Sequence, residues 1–146
     1  AYGGVATGKL LKPHIFKEAR NSEGNVVLSA QTEETGVPNI EEQYYDYMRD
    51  ALHGVATEEE AVSALWSEVG ISAAAKTGTA EVDGKEDFAL FACYAPYEDP
   101  KYAIACVIEE GKGGSSTAAP AAVKLMDAAL KALDGKLETE PTVISA

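Results

Sequence analysis

The sequence predicts an α+β fold in which an antiparallel sheet packs against helices, and three observations carry that expectation. Phe88 to Ala95 and Lys101 to Ile108 are two strand-like runs, apolar on both faces, joined by the turn-forming Pro96-Tyr97-Glu98-Asp99-Pro100. Strands apolar on both faces belong to a sheet covered on both sides. Helical periodicity recurs over 39–55, 57–70 and 117–134, each stretch bounded by capping residues and closed by glycine. Between the helical and strand-like parts, Lys76-Thr77-Gly78-Thr79 lies along one extended segment, between Ala73-Ala74-Ala75 and Ala80-Glu81-Val82.

Composition bounds the answer. The 146 residues suffice for one domain with a real core. Hydrophobic content of 46% with 25% charged residues argues against disorder. A net charge of −12, from 24 acidic and 12 basic residues, repels phosphate backbones and argues against a nucleic-acid partner. No apolar run reaches the ~18 residues of a membrane span, and no signal peptide opens the chain. A start at Ala1-Tyr2-Gly3-Gly4, without an initiator Met, reads as a processed or excised piece. Cys93 and Cys106 fall near each other if the two strands form a hairpin, and the reading favoured is two small buried thiols.

In chain order, residues 1–38 suggest a peripheral hairpin: Pro13-His14-Ile15-Phe16 and Val26-Val27-Leu28 are β-like runs around the turn Asn21–Asn25. His14 reads as a strand-end surface residue. His14 and His53 are the only histidines, so no Cys/His cluster has metal-site spacing and no cofactor is expected. The region 39–70 is helical. Asn39 with Glu42 makes a capping box, Ile40, Tyr44, Tyr47, Met48, Leu52 and Val55 form a stripe, and Gly54 is placed to end the helix. Thr57 with Glu60 makes a second capping box before Ala61, Val62, Leu65, Trp66 and Val69, and Gly70 closes it.

The region 71–134 holds the Lys-Thr-Gly strand, the hairpin and a last helix. In the second hairpin strand Tyr102, Ile104, Cys106 and Ile108 share one face, while Ala103, Ala105 and Val107 make a small face suited to a close-packed helix. Thr117 is the expected cap of that helix and Pro120 suits its first turn. Val123, Met126, Leu130 and Leu133 form its stripe, and Gly135 stops it. Gly111-Lys112-Gly113-Gly114-Ser115-Ser116 lacks phosphate-loop spacing and reads as a flexible connection. Residues 135–146 read as a frayed tail.

Lys76, Thr77, Gly78 and Thr79 carry the chemistry. An ammonium and two hydroxyls suit a carboxylate, and glycine lets a ligand approach the backbone. The ordered set Tyr2-Gly3-Gly4, Lys12-Pro13-His14, Met48 to Val55, Ala75 to Glu81, Tyr94-Ala95-Pro96, Pro100 to Ala103 and Gly113-Gly114 through Pro120 resembles the C-terminal portion of the transpeptidase domain of high-molecular-weight penicillin-binding proteins. The resemblance spans nearly the whole chain. It implies a partial transpeptidase (β-lactamase-like) fold from a serine acyl-transfer enzyme that cross-links peptidoglycan stem peptides and is acylated by β-lactams.

Of that family's three motifs, S-x-x-K, S-x-N and K-T-G, only the third can be drawn here. Ser22, Ser29, Ser63, Ser67, Ser72, Ser115, Ser116 and Ser145 lack both Lys three residues on and Asn two residues on. The resemblance therefore implies a nucleophile in a preceding part of the same domain, and a chain inactive alone. It makes Lys76 the cation facing a terminal carboxylate and gives Thr77 and Thr79 hydroxyls that bind it. Gly78 leaves room for the ligand, and the Thr79 backbone N–H becomes half of an oxyanion hole. Ala75 and Cys93 stand where the family often has glycine. The alternative is a non-catalytic β-lactam-sensing or peptide-binding relative. The resemblance also places the parent protein on the extracytoplasmic face of the membrane. Without its missing half the fold should expose apolar surface, which dimerisation or strand exchange would hide.

Overall fold

The computed structural model describes residues 1–36 and 40–135. Its centre is a three-stranded antiparallel sheet of β5 (Ala74–Ala80), β6 (Phe88–Ala95) and β7 (Tyr102–Ile108), in the order β5-β6-β7. The expected hairpin is therefore present with its Lys-Thr-Gly neighbour. The register pairs Lys76 with Ala92, Gly78 with Leu90 and Thr79 with Ala89, then Cys93 with Ile104 and Phe91 with Cys106. Side chains alternate across a strand, so each face is read from these pairs.

One face carries the core. Ala75, Ala89, Phe91, Cys93 and Ala95 are buried with Ile104, Cys106 and Ile108 packed against them. Covering this face are α3 (Glu60–Val69), through Val62 and Trp66, and α4 (Ala119–Leu133), through Ala119, Ala122, Val123 and Met126. A π-helical turn, Gly114–Ala118, leads into α4. The helix thus packs on the Ile104-Cys106-Ile108 face, not on the Ala103-Ala105-Val107 face expected from side-chain size, which is exposed. Burying the larger apolar groups removes more area from water, and that outweighs the closer approach small residues permit. Both cysteines are free thiols on the core face, Cys93 buried and Cys106 partly so.

The opposite face is covered only at one end. There α1 (Tyr2–Thr7) meets β6, and α2 (Glu42–Glu58) lies along the start of β5. Val107 is 57% exposed at the other end.

Several local expectations are overturned. The helix α2 runs through Gly54 to Glu58 because packing holds Ala56 in the core, and tertiary contacts outweigh a glycine's weak breaking tendency. Glu41 caps α2 and Glu42 is its first residue; the proposed cap Asn39 lies outside the described residues. On α2 Tyr45 and Ala56 are buried, Leu52 is half-buried and Val55 packs against the core, whereas Tyr44, Tyr47 and Met48, like Ile40 before the helix, are exposed, so the expected stripe holds only toward the C-terminal end. Thr57 is inside α2, its hydroxyl donating to His53 O at 3.0 Å, and Glu59 caps α3. Gly70 does end α3, at φ 67°. Thr117 lies within the π turn and Ala118 caps α4, whose stripe ends in a 55% exposed Leu133.

The peripheral hairpin exists with Val26-Val27-Leu28 as its second strand, as expected, but with a different first strand. Here β2 (Glu18–Arg20) pairs with β3 (Val26–Ser29) around Asn21–Asn25, and β1 (Leu10–Leu11) pairs with β4 (Glu34–Gly36). Pro13–Phe16 is not a strand. Ile15 in it is fully exposed, so no packing surface rewards extension there. His14 accordingly sits outside any strand, its Nδ1 2.7 Å from Phe16 O. Leu10, Leu11, Val26, Val27 and Leu28 are all exposed, which gives the apolar surface expected of this fold.

Candidate active site

Lys76, Thr77, Gly78 and Thr79 sit together on β5, the edge strand of the central sheet. An edge strand offers alternate backbone groups to whatever lies beside it. In an antiparallel strand the N–H and C=O of one residue point to the same side, and successive residues alternate. Three hydrogen bonds fix which residues point out. The Ala73 carbonyl meets His53 Nδ1 of α2 at 2.7 Å, and the Thr77 carbonyl accepts from Lys76 Nζ at 2.7 Å, both from the open side. The Ser72 carbonyl accepts from Tyr97 N–H, in the β6–β7 loop, at 3.0 Å on the sheet side. Odd-numbered residues therefore turn their backbone outward, and the Thr79 N–H faces the open edge.

The side chains divide across that edge. Lys76 and Gly78 share a face with Ala92 and Leu90, while Thr77 and Thr79 share the helix-packed face with Phe91 and Ala89. An ammonium on one face, two hydroxyls on the other and an outward N–H between them are thus disposed about one strand edge. Lys76 is exposed and makes no ion pair among the described residues, so its charge is not neutralised in a chain of net charge −12. A shallow groove of about 280 Å³ runs beside it, lined by Tyr2, Lys76, Thr77, Gly78, Leu90 and Val107. A larger cleft of about 390 Å³ lies elsewhere, between α2 and α3, lined in part by His53, Trp66 and Ser63.

Two glycines hold different places here. A Cβ on Gly78 would meet Leu90 Cβ at 3.4 Å and Leu90 O at 3.9 Å, both ordinary contacts, so the fold itself tolerates alanine there. A Cβ on Gly114 would come within 2.5 Å of Gly78 O and 2.9 Å of Gly78 N, with Leu90 O closer still. Backbone thus packs on backbone behind the Lys-Thr-Gly strand. The stretch 111–116, expected as a flexible connection, is instead the wedge that backs the site. Its glycine pattern was the available signal, because consecutive glycines serve close approach as readily as freedom.

Sequence reasoning also passed over His53 and Tyr97. Their rings stack with centroids 4.1 Å apart at 12°, and Tyr97 Oη donates to Asp50 Oδ1 at 2.8 Å. That bond, with partial burial, pushes the Tyr97 phenol up to about 12. Burial likewise pushes the Cys93 thiol up to about 12. No local pattern singles out His53: Ala56, one turn further on, is shown to face the core only by the assembled fold. No group of His, Cys, Asp and Glu among the described residues could hold a metal ion. No helix among them is long and apolar enough to cross a membrane.

The family model of the penicillin binding protein transpeptidase domain matches residues 1–127. The chain belongs to this family. Among penicillin-binding transpeptidases it is similar to the peptidoglycan D,D-transpeptidase MrdA of Haemophilus influenzae, 30% identical over 142 residues, covering 84% of this chain and 21% of that protein. MrdA of Escherichia coli K12 is 27% identical over 126 residues, covering 75% and 20%. The chain thus spans about a fifth of the length of the curated relatives it matches. Among solved structures, Pseudomonas aeruginosa PBP2, in complex with WCK 5153, aligns at a TM-score of 0.68 and 26% identity, covering 97% of this chain and 30% of that one. Penicillin-binding protein A of M. tuberculosis, solved as its imipenem acyl-enzyme, aligns at 0.72 and 20% identity, covering 88% and 29%, and supports the fold alone. The expected α+β architecture is that of part of a penicillin-binding transpeptidase domain.

Proposed function

We propose that this chain carries the carboxylate-binding and oxyanion strand of a peptidoglycan D,D-transpeptidase that β-lactams acylate. The observation that carries the reading is the outward Thr79 N–H on an edge strand, one residue along from Gly78 and three from an unpaired Lys76. In this reading a serine from a part of the polypeptide outside these 146 residues attacks the penultimate D-alanine carbonyl of a stem peptide. The carbonyl oxygen gains the electron pair and is held by the Thr79 N–H together with the N–H of that serine. Lys76, with the Thr77 and Thr79 hydroxyls, holds the terminal carboxylate, as it would the carboxylate of a penicillin. The serine's hydroxyl proton passes to the departing nitrogen as the C–N bond breaks and the terminal D-alanine leaves; the acyl group then passes from the serine to an amine of a second stem peptide, whose proton restores the serine hydroxyl. Such a protein works on the extracytoplasmic face of the membrane, where peptidoglycan lies.

The test is acylation of the full gene product by a fluorescent penicillin, followed as a second-order rate. Lys76→Ala removes the cation. Thr79→Pro removes the outward N–H together with the hydroxyl, without costing a bond to β6, and should slow acylation by at least the ~10²–10³-fold of one lost oxyanion donor. The 146-residue chain by itself should take no covalent label. Wild-type rates in both variants, or labelling of the isolated chain, would overturn the assignment.

A further inference from the structure

We infer that His53 is a positioning residue for the Lys-Thr-Gly strand, setting how far β5 projects its Thr79 N–H into the open side. This rests on the proposed acyl-transfer reading. The strand has a ladder partner on one side only. Its open side is held at one described point upstream of the motif, the 2.7 Å bond between His53 Nδ1 and Ala73 O. The ring that makes this bond is itself fixed. It stacks on Tyr97 at 4.1 Å, and Tyr97 is held by its Oη on Asp50 Oδ1 at 2.8 Å and by its N–H on Ser72 O at 3.0 Å. One stacked pair thus grips two consecutive carbonyls from opposite sides of the strand, His53 from the helix and Tyr97 from the loop. Asp50 and His53 are both on α2, so the grip closes back onto the same helix.

The bond also assigns the ring's protons. A carbonyl can only accept, so Nδ1 carries the hydrogen and donates. Ala73 and Thr79 lie six residues apart with the same outward parity, and Gly114 blocks retreat of the strand toward the helices at Gly78. Loosening the upstream end therefore lets β5 tilt about the Gly78 contact, which moves the Thr79 N–H while leaving the flexible Lys76 ammonium within reach of a carboxylate.

His53→Phe keeps the stack and removes the donor; His53→Asn restores an N–H donor at the position of Nδ1. In the full gene product, acylation by a penicillin should fall about tenfold in His53→Phe and recover to within about threefold of wild type in His53→Asn. The loss should appear in the acylation step, with noncovalent affinity for the penicillin unchanged. A purely structural role would lower the titrated fraction of active protein and leave the rate per active site alone. Tyr97→Leu, which like His53→Asn keeps the donor and loses the stack, is expected to show the same loss of about threefold and serves if His53→Phe fails to fold. Equal acylation steps in wild type, His53→Phe and Tyr97→Leu would overturn the inference. A wild-type protein that penicillin does not acylate would overturn the functional reading beneath it instead.

Discussion

Replacing Gly114 with alanine isolates the contact that backs the Lys-Thr-Gly strand. The added methyl would lie 2.5 Å from Gly78 O, 2.9 Å from Gly78 N and nearer still to Leu90 O. All three are backbone atoms of paired strands, so no rotamer change relieves them. Overpacking that side chains can absorb costs about 1–3 kcal/mol, and a clash with two strands at once belongs at or above the top of that range. At about 4 °C per kcal/mol for a chain of this size, the melting temperature should fall by about 10 °C or more. Gly113→Ala is the control. Its Cβ would meet chiefly Ser116 Oγ, at 2.6 Å, and that hydroxyl can rotate away. Thermal melts of the purified protein followed by far-ultraviolet circular dichroism would measure both. If Gly114→Ala melted within about 2 °C of wild type, the wedge would not be holding the strand, and the tilt axis assigned to β5 would lose its basis.

Three further outcomes follow from burial and titration. Native protein at pH 8 should expose one thiol, Cys106, to Ellman's reagent and both thiols in guanidinium, since Cys93 is buried with its thiol pushed up to about 12; two fast thiols in the native protein would contradict this. Because Cys93 and Tyr97 both hold their protons more tightly folded than unfolded, their contribution is full below their unfolded values of about 8.5 and 10. It is lost as pH rises toward about 12, so the urea midpoint should drop over that window, and a midpoint that climbed would reverse the sign. Met126→Ala, at a fully buried site, should cost about 2–5 kcal/mol in urea unfolding, while Leu133→Ala, 55% exposed, should cost less than about 1. Equal costs would mean that α4 packs on another face.

The central sheet was legible because its signals are strong and local. Phe88–Ala95 matches β6 residue for residue, since an apolar run between two turn sequences has few other places to go. Lys76, Thr77, Gly78 and Thr79 could be named from the sequence as the residues of the proposed cradle, but not their outward parity, which depends on where His53 and Tyr97 grip the strand. The first half of the α2 stripe differs from its expectation for a related reason. Its tyrosines and methionine satisfy helical spacing in two registers, and the sheet, absent from any local window, selects the one that buries Tyr45 and Ala56. Gly111–Ser116 shows the same limit. Glycine says that the backbone can approach something, and only the assembled sheet says what.

The segment 10–36 contains one hairpin, β2–β3, nested inside the β1–β4 pair, and not one buried residue. A two-stranded hairpin without a packed face is marginal in water, so its opening is uncoupled from unfolding of the sheet. Trypsin at low dose should therefore cut first at Lys12, Lys17 or Arg20 and leave a resistant piece that keeps β5, β6, β7 and the helices around them. Amide exchange should divide at the same place, with rapid exchange across the arm and slow exchange on β6. The arm can thus be trimmed or replaced by engineering without disturbing the strand that carries Lys76 and Thr79.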